Sequence, residues 1–187
     1  RSVAVPGFWA AFEAALERHG SRSKADLVAP AIELADEGFE VYPFLYGMAF
    51  EQIGTLGRYP QGREMFFRDG RLIDVGEVLR QPRLAQTLQH LVADGSDYFY
   101  RGAFAQRMVD TVQAAGGVLS RKDLEAYEVR WMEPARGTYR GYEVVGSPPP
   151  DRGGTHVIEI LNLVEQIPLL EWGPPTRSAD SLYWLTR

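Results

Sequence analysis

Four consecutive residues, Asp151-Arg152-Gly153-Gly154, come closest to a binding site in this sequence. A Gly-Gly step that opens a helix leaves backbone N–H groups able to hold an anion, and Arg152 adds positive charge beside them. No Gly-Lys-Ser/Thr follows, so the segment is not a P-loop. The plainer alternative is a structural turn, in which the glycines let a helix approach a sheet closely. Just beyond, His156 and Glu159 stand i,i+3 on one helix face, a spacing open to proton transfer. The bland alternative is that His156 caps the first turn of that helix. His19 and His90 complete the histidines, and no His-Glu-x-x-His or similar spacing links the three, so no metal site is predicted. His19 falls at a predicted helix C-terminus, where the dipole favours a cation. The carboxylate pairs Asp36-Glu37 and Asp123-Glu125 lie on polar faces and read as solvated surface. Tyr98-Phe99-Tyr100, Phe66-Phe67 and Trp131 read as core or interface residues, because a base-stacking platform needs a basic groove beside it. The chain has no Gly-x-Ser-x-Gly, so a serine-hydrolase elbow is excluded.

The elements that must position these residues are legible from periodicity. Tyr139, Tyr142, Val144 and Val145 favour two strands joined by a tight Arg140-Gly141 turn. Pro148, Pro149 and Pro150 stop the sheet in an extended segment. Residues 157–164 then form a helix that is apolar on almost every face, as a central helix is. Upstream, Phe8, Phe12 and Leu16 predict a helix ending near His19-Gly20. Ser23 and Asp26 open the next helical stretch. Pro30 is expected to interrupt that stretch, with a restart that points Ala31, Leu34 and Ala35 at the core and ends at Gly38. Residues 42–50 are predicted helical and packed on the previous pair. Residues 54–70 are predicted as irregular loop, with a short hairpin near residues 71–73. Leu84, Leu88, Leu91 and Val92 make one helical stripe, stopped at Asp94-Gly95. Phe104, Met108, Val109 and Val112 make another, stopped at Gly116-Gly117. Ser120 and Asp123 cap a short helix carrying Leu124 and Tyr127. Residues 128–132 alternate like a strand, and Ser178 begins a final helix. That helix stops abruptly at Arg187, and a truncated chain is the expectation. Helices before and after a few strands predict an α+β fold over residues 1–187 with no internal boundary.

The composition excludes several classes. A hydrophobic share of 45% with 24% charged residues describes a globular domain, not a disordered one. No apolar run approaches the roughly 20 residues that span a bilayer, so no membrane partner is predicted. A net charge of −5 with scattered basic residues opposes a nucleic-acid partner. The chain has no cysteine, which removes disulfides, thiolate zinc sites and a cysteine nucleophile but leaves the compartment open.

Several motifs together resemble one known family. Tyr139-Arg140-Gly141-Tyr142-Glu143-Val144, Ser147-Pro148-Pro149-Pro150, Gly153-Gly154 and the Ile160-Leu161-Asn162 helix resemble the large subunit of γ-glutamyltranspeptidases. So do the Ser2-Val3-Ala4-Val5-Pro6-Gly7 segment and the helix of residues 27–38. Gln81-Pro82, Leu84-Ala85, Thr87-Leu88 and Phe99-Tyr100-Arg101-Gly102 follow in the same order.

The resemblance implies part of a four-layer αββα N-terminal-nucleophile hydrolase fold, incomplete without a small subunit cut from the same precursor. In that family a threonine freed by self-cleavage attacks a γ-glutamyl amide, with its own α-amine as general base and glycine N–H groups stabilising the oxyanion. Water, an amino acid or a peptide takes the acyl group. The implied partners are therefore the small subunit and a γ-glutamyl small molecule, and no cofactor is implied. The Thr-Thr-His-type segment is not among these residues, and the family's other catalytic positions map outside them, so no catalytic residue is carried over. The family usually has Ser-Ser where this chain has Asp151-Arg152, which sets any substrate role for that loop apart from the family pattern. Glutaryl- or cephalosporin-acylase-like amidohydrolases resemble the same large subunit. A non-catalytic scaffold or a degenerate paralogue is the alternative from another class.

Overall fold

The structure, a computed structural model, describes residues 3–186. Ser2, which begins the family-like N-terminal segment, and Arg187, where the last predicted helix ends, lie outside the described residues. Chain packing separates two compact units, Arg1–Val129 and Arg130–Arg187. The sequence reading has no boundary there because no linker-like run of Pro, Gly or Ser marks residue 129.

The first unit begins with α1 (Phe8–His19) and α2 (Lys24–Glu37). Ser23 caps α2 by accepting a hydrogen bond from the Asp26 N–H at 3.1 Å, as its sequence position predicts. Pro30 lies inside α2 without ending it, contrary to the expected restart. An interior proline costs about 3 kcal/mol, and packing of α2 offsets it. Its inward face is Val28, Ile32 and Ala35, spaced i, i+4, i+7, while Ala31 and Leu34 are exposed. The expected core positions were therefore one step out of phase except at Ala35. Gly38, at φ 86°, ends the helix.

Beyond β1 (Phe39–Glu40), α3 (Pro43–Glu51) sends Leu45 and Tyr46 onto a cluster of Val41, Ile73 and Leu79. This cluster is separate from the one shared by α1 and α2. Residues 54–70 are not irregular loop. They contain the end of α4 (Ile53–Leu56) and α5 (Pro60–Phe66), where Pro60 supplies a fixed φ at the first helical position. Arg63 closes the intervening turn by donating to the Gly57 carbonyl at 2.6 Å. The predicted hairpin is present as β2 (Phe67–Arg68) and β3 (Arg71–Leu72), turning at Asp69-Gly70 with both φ positive. β4 (Val78–Leu79) pairs antiparallel with β1.

The predicted stripe of leucines becomes α6 (Pro82–Tyr100), which breaks at Gly95 (φ 62°, ψ −150°) and resumes at Ser96. Trp9, Val28 and Leu91 join α1, α2 and α6 in one core cluster. The second cluster is Tyr100, Ala105, Val109 and Leu124, built from α6, α7 (Ala103–Ala114) and α8 (Arg121–Glu125). Ser120 and Asp123 form the expected reciprocal capping box at α8. Residues 128–132 are not a strand. Their alternation is real, but no neighbouring strand pairs with them among the described residues, and Trp131 and Met132 stay half exposed.

The second unit is a hairpin carrying a helix. β5 (Ala135–Tyr139) pairs antiparallel with β6 (Tyr142–Gly146) through Arg140 (φ 49°) and Gly141 (φ 81°), as a two-residue primed turn requires. α9 (Gly153–Glu165) lies on this hairpin, followed by α10 (Leu169–Trp172) and α11 (Ala179–Leu185). Ser178 caps α11 as predicted. The expectation that α9 is enclosed fails in this chain: Val157, Ile160 and Leu163 are 50%, 57% and 63% exposed.

Candidate functional site

The Asp151–Gly154 loop links the hairpin to α9, and its glycines are there for closeness. Gly154 is buried, and a Cβ on it would overlap the backbone N and O of Ser147. Gly146, at the end of β6, faces the Gly154 backbone in the same way. At Gly137, on the neighbouring strand β5, a Cβ would collide with the Ile158 side chain. Helix and hairpin thus meet backbone to backbone at one end and side chain to backbone at the other. The Pro149–Pro150 peptide between them is cis.

The hydrogen bonds of the loop turn inward. Ser147 Oγ donates to Asp151 Oδ2 and accepts the Gly154 N–H at 3.2 Å. The Ser147 hydroxyl, followed by the backbone N–H groups of Gly153 and Arg152, holds the Asp151 carboxyl below the ordinary aspartate range. The N–H groups that an exogenous anion would use turn instead to the chain itself, those of Gly153 and Arg152 to the Asp151 carboxylate and that of Gly154 to the Ser147 hydroxyl. Arg152 is exposed at the helix N-cap and supplies no capping hydrogen bond from its side chain, while its carbonyl accepts from Thr155 Oγ1 at 3.1 Å. Sequence reasoning missed Ser147, which does the capping assigned to His156. A serine just before a proline run and six residues before a Gly-Gly helix start was the available signal.

The remaining candidates scatter. The His156 side chain is exposed and no ion pair joins it to Glu159, while its backbone N–H makes an ordinary helical bond to Arg152 O at 2.9 Å. His19 sits in the last turn of α1, and His90 lies 3.6 Å from Asp94 and stacks on Tyr98. Glu125 pairs with Arg121 at 3.2 Å, and Asp36 and Glu37 are exposed at the end of α2. Phe99 stacks on Phe104 with centroids 4.4 Å apart, and Tyr100 is buried, so the aromatic run packs the interior. Among the described residues, no group of three or more His, Cys, Asp or Glu could hold a metal ion, and no helix is long and apolar enough to cross a membrane.

Comparison with known proteins places this scaffold. The family model described as gamma-glutamyltranspeptidase matches residues 1–186. The chain is 37% identical over 165 residues to the acylase ACY 1 proenzyme of Pseudomonas sp. (strain SE83), covering 88% of this chain and 30% of that protein. It is 36% identical over 173 residues to the glutathione hydrolase proenzyme of Pseudomonas sp. (strain A14), covering 92% of this chain and again 30% of the other. The chain therefore spans less than a third of these curated relatives' length. Among solved structures, the Helicobacter pylori gamma-glutamyltranspeptidase superposes with TM-score 0.89 at 31% identity, over 97% of this chain and 52% of that one. The Bacillus anthracis transpeptidase CapD superposes with TM-score 0.86 at 29% identity, over 98% and 62%. The shared architecture is the mostly helical, α+β part of an N-terminal-nucleophile hydrolase fold. With the match running through both units, the chain belongs to the γ-glutamyltranspeptidase family.

Proposed function

We propose that the chain is the scaffold portion of the large subunit of a γ-glutamyltranspeptidase-like enzyme. The whole protein would cleave γ-glutamyl amides of the glutathione type and pass the acyl group to water, an amino acid or a peptide. The nucleophile would be an N-terminal threonine outside these residues, so the chain alone is inactive. Family membership over residues 1–186 carries this reading. The exposed apolar face of α9 supports it, since a partner is needed to cover Val157, Ile160 and Leu163. That partner is the small subunit cut from the same precursor. Asp151 and Arg152 serve the helix–hairpin junction in this reading, with Gly153 and Gly154 giving the close approach.

An acylase reading has its own support, because an acylase proenzyme and a glutathione hydrolase proenzyme match at nearly equal identity. The two share the processing step and differ in the acyl group accepted. Intact-mass measurement and N-terminal sequencing of the whole gene product test the common part. Two fragments, the smaller beginning at threonine, are expected. Turnover of γ-glutamyl-p-nitroanilide against a glutaryl amide then separates the readings. A single uncleaved chain lacking that threonine would overturn both and leave a non-catalytic scaffold.

A further inference from the structure

Glu13 lies far in sequence from the candidate loop, and its one carboxylate joins three helices. Its Oε1 accepts from Lys24 Nζ on α2 at 2.7 Å. Its Oε2 accepts the Ser96 backbone N–H on α6 at 3.0 Å and also the Ser96 hydroxyl. The Glu13 and Lys24 side chains are each only 25% exposed. The receiving end on α6 is the break at Gly95. A helix that restarts leaves its first N–H groups without intrahelical acceptors, and Glu13 supplies one. A Cβ on Gly95 would lie 2.9 Å from Glu13 Oε1 and 3.3 Å from Lys24 Nζ, so the ion pair is seated directly against the break.

The turn that follows is fastened by aromatic side chains. Tyr98 and Phe99 pack on the cluster of Trp9, Val28 and Leu91. Tyr100 donates its hydroxyl to the Pro6 carbonyl at 2.7 Å, and its ring stacks on Tyr127 at 5.2 Å.

We propose that Glu13 is an acid-sensitive clamp: ionised, it holds residues 96–100 against α1 and α2, and protonation releases that turn together with the Pro6 segment tied to it. The charged group facing it from α2 is Lys24, and the titratable group from α6 is Tyr100. Burial raises the Tyr100 phenol, with smaller contributions from Tyr127 and then from the Glu13 charge, and it stays neutral through the acid range. Partial burial works to raise the Glu13 pKa, but hydrogen bonds from Lys24 and Ser96 and the Lys24 charge together hold it below the ordinary glutamate range. The clamp is therefore fully engaged above the unfolded-chain value and is lost as pH falls through the lower folded value.

Hydrogen–deuterium exchange of the whole gene product that carries these residues, normalised to intrinsic rates, tests this. Between about pH 7 and about pH 3, protection at residues 96–101 is expected to fall about tenfold or more before α7 amides lose theirs, the scale of one charge-assisted hydrogen bond. Glu13→Gln is expected to show low protection there at every pH. Ser96→Ala, which keeps the backbone bond and Lys24, is expected to retain the pH dependence. Wild-type-like protection in Glu13→Gln overturns the proposal. So does simultaneous loss at residues 96–101 and α7 in the wild type, which needs no variant to fold.

Discussion

At the residue scale, two glycines of the second unit make opposite demands and predict different costs. Gly154 has an ordinary φ but no room, because a Cβ there meets the backbone of Ser147 and Gly146. Backbone cannot rotate away as a flexible side chain can, so Gly154→Ala is expected to destabilise the unit by about 3 kcal/mol. Gly141 has the reverse problem, with nothing within 4 Å but φ at 81°. Gly141→Ala meets only the left-handed penalty, about 1 kcal/mol. Thermal denaturation of the two variants should keep that order, and equal costs would mean that α9 does not rest on the hairpin end. Asp151 offers a prediction about pH. Its carboxyl is held low by the Ser147 hydroxyl first and by the loop N–H groups next. Its contribution to the loop is thus present above the unfolded aspartate value and lost as pH falls through the folded one. Carbon-detected NMR titration should find Asp151 below the ordinary range, and Ser147→Ala should move it back up. A carboxyl unmoved by Ser147→Ala would remove the basis for calling this loop self-satisfied.

At the element scale, caps and turns were more legible than packing directions. Ser23, Ser120 and Ser178 each cap the helix that their spacing announced, because a cap is a contract among residues three apart. Ser23→Ala is accordingly expected to cost about 1 kcal/mol, read as a lowered denaturation midpoint without a changed slope. The same local logic located the Arg140-Gly141 turn, where Gly141 supplies positive φ by residue type and Arg140 adopts it without such a preference. What failed was non-local. Pro30 argues for a break on local grounds, yet α2 continues through it because Val28, Ile32 and Ala35 pack in register. Residues 128–132 carry a strand's alternation, but a strand needs a neighbour that sequence alone does not locate. The candidate loop was found for its glycines, and their role as a close approach was foreseen. The inward use of its N–H groups depends on Ser147 folding back across the prolines, a relation invisible to spacing rules.

At the scale of the whole molecule, the apolar surface of the second unit is the feature that reaches beyond these residues. Ile160, Leu163, Ile167, Trp172, Trp184 and Leu185 line one broad depression. Val157, Ile160, Leu163 and Trp184 are each at least half exposed. Single exposed hydrophobics are ordinary, but a contiguous set on one helix and its neighbours marks an interface. The curated relatives are more than three times the length this chain covers, and the proposed occupant is the remainder of the same protein. The two situations respond oppositely to one change. In the isolated chain, replacing Ile160 and Leu163 with glutamate removes an associating surface, so the monomer fraction in analytical ultracentrifugation should rise. In the full-length precursor, the same pair places two charges in a dry contact, which costs several kcal/mol unless they are paired. Self-cleavage should then slow or fail, read as persistence of the uncut band. An isolated chain that is already monomeric, together with a precursor that matures normally, would show that α9 faces water in the working protein.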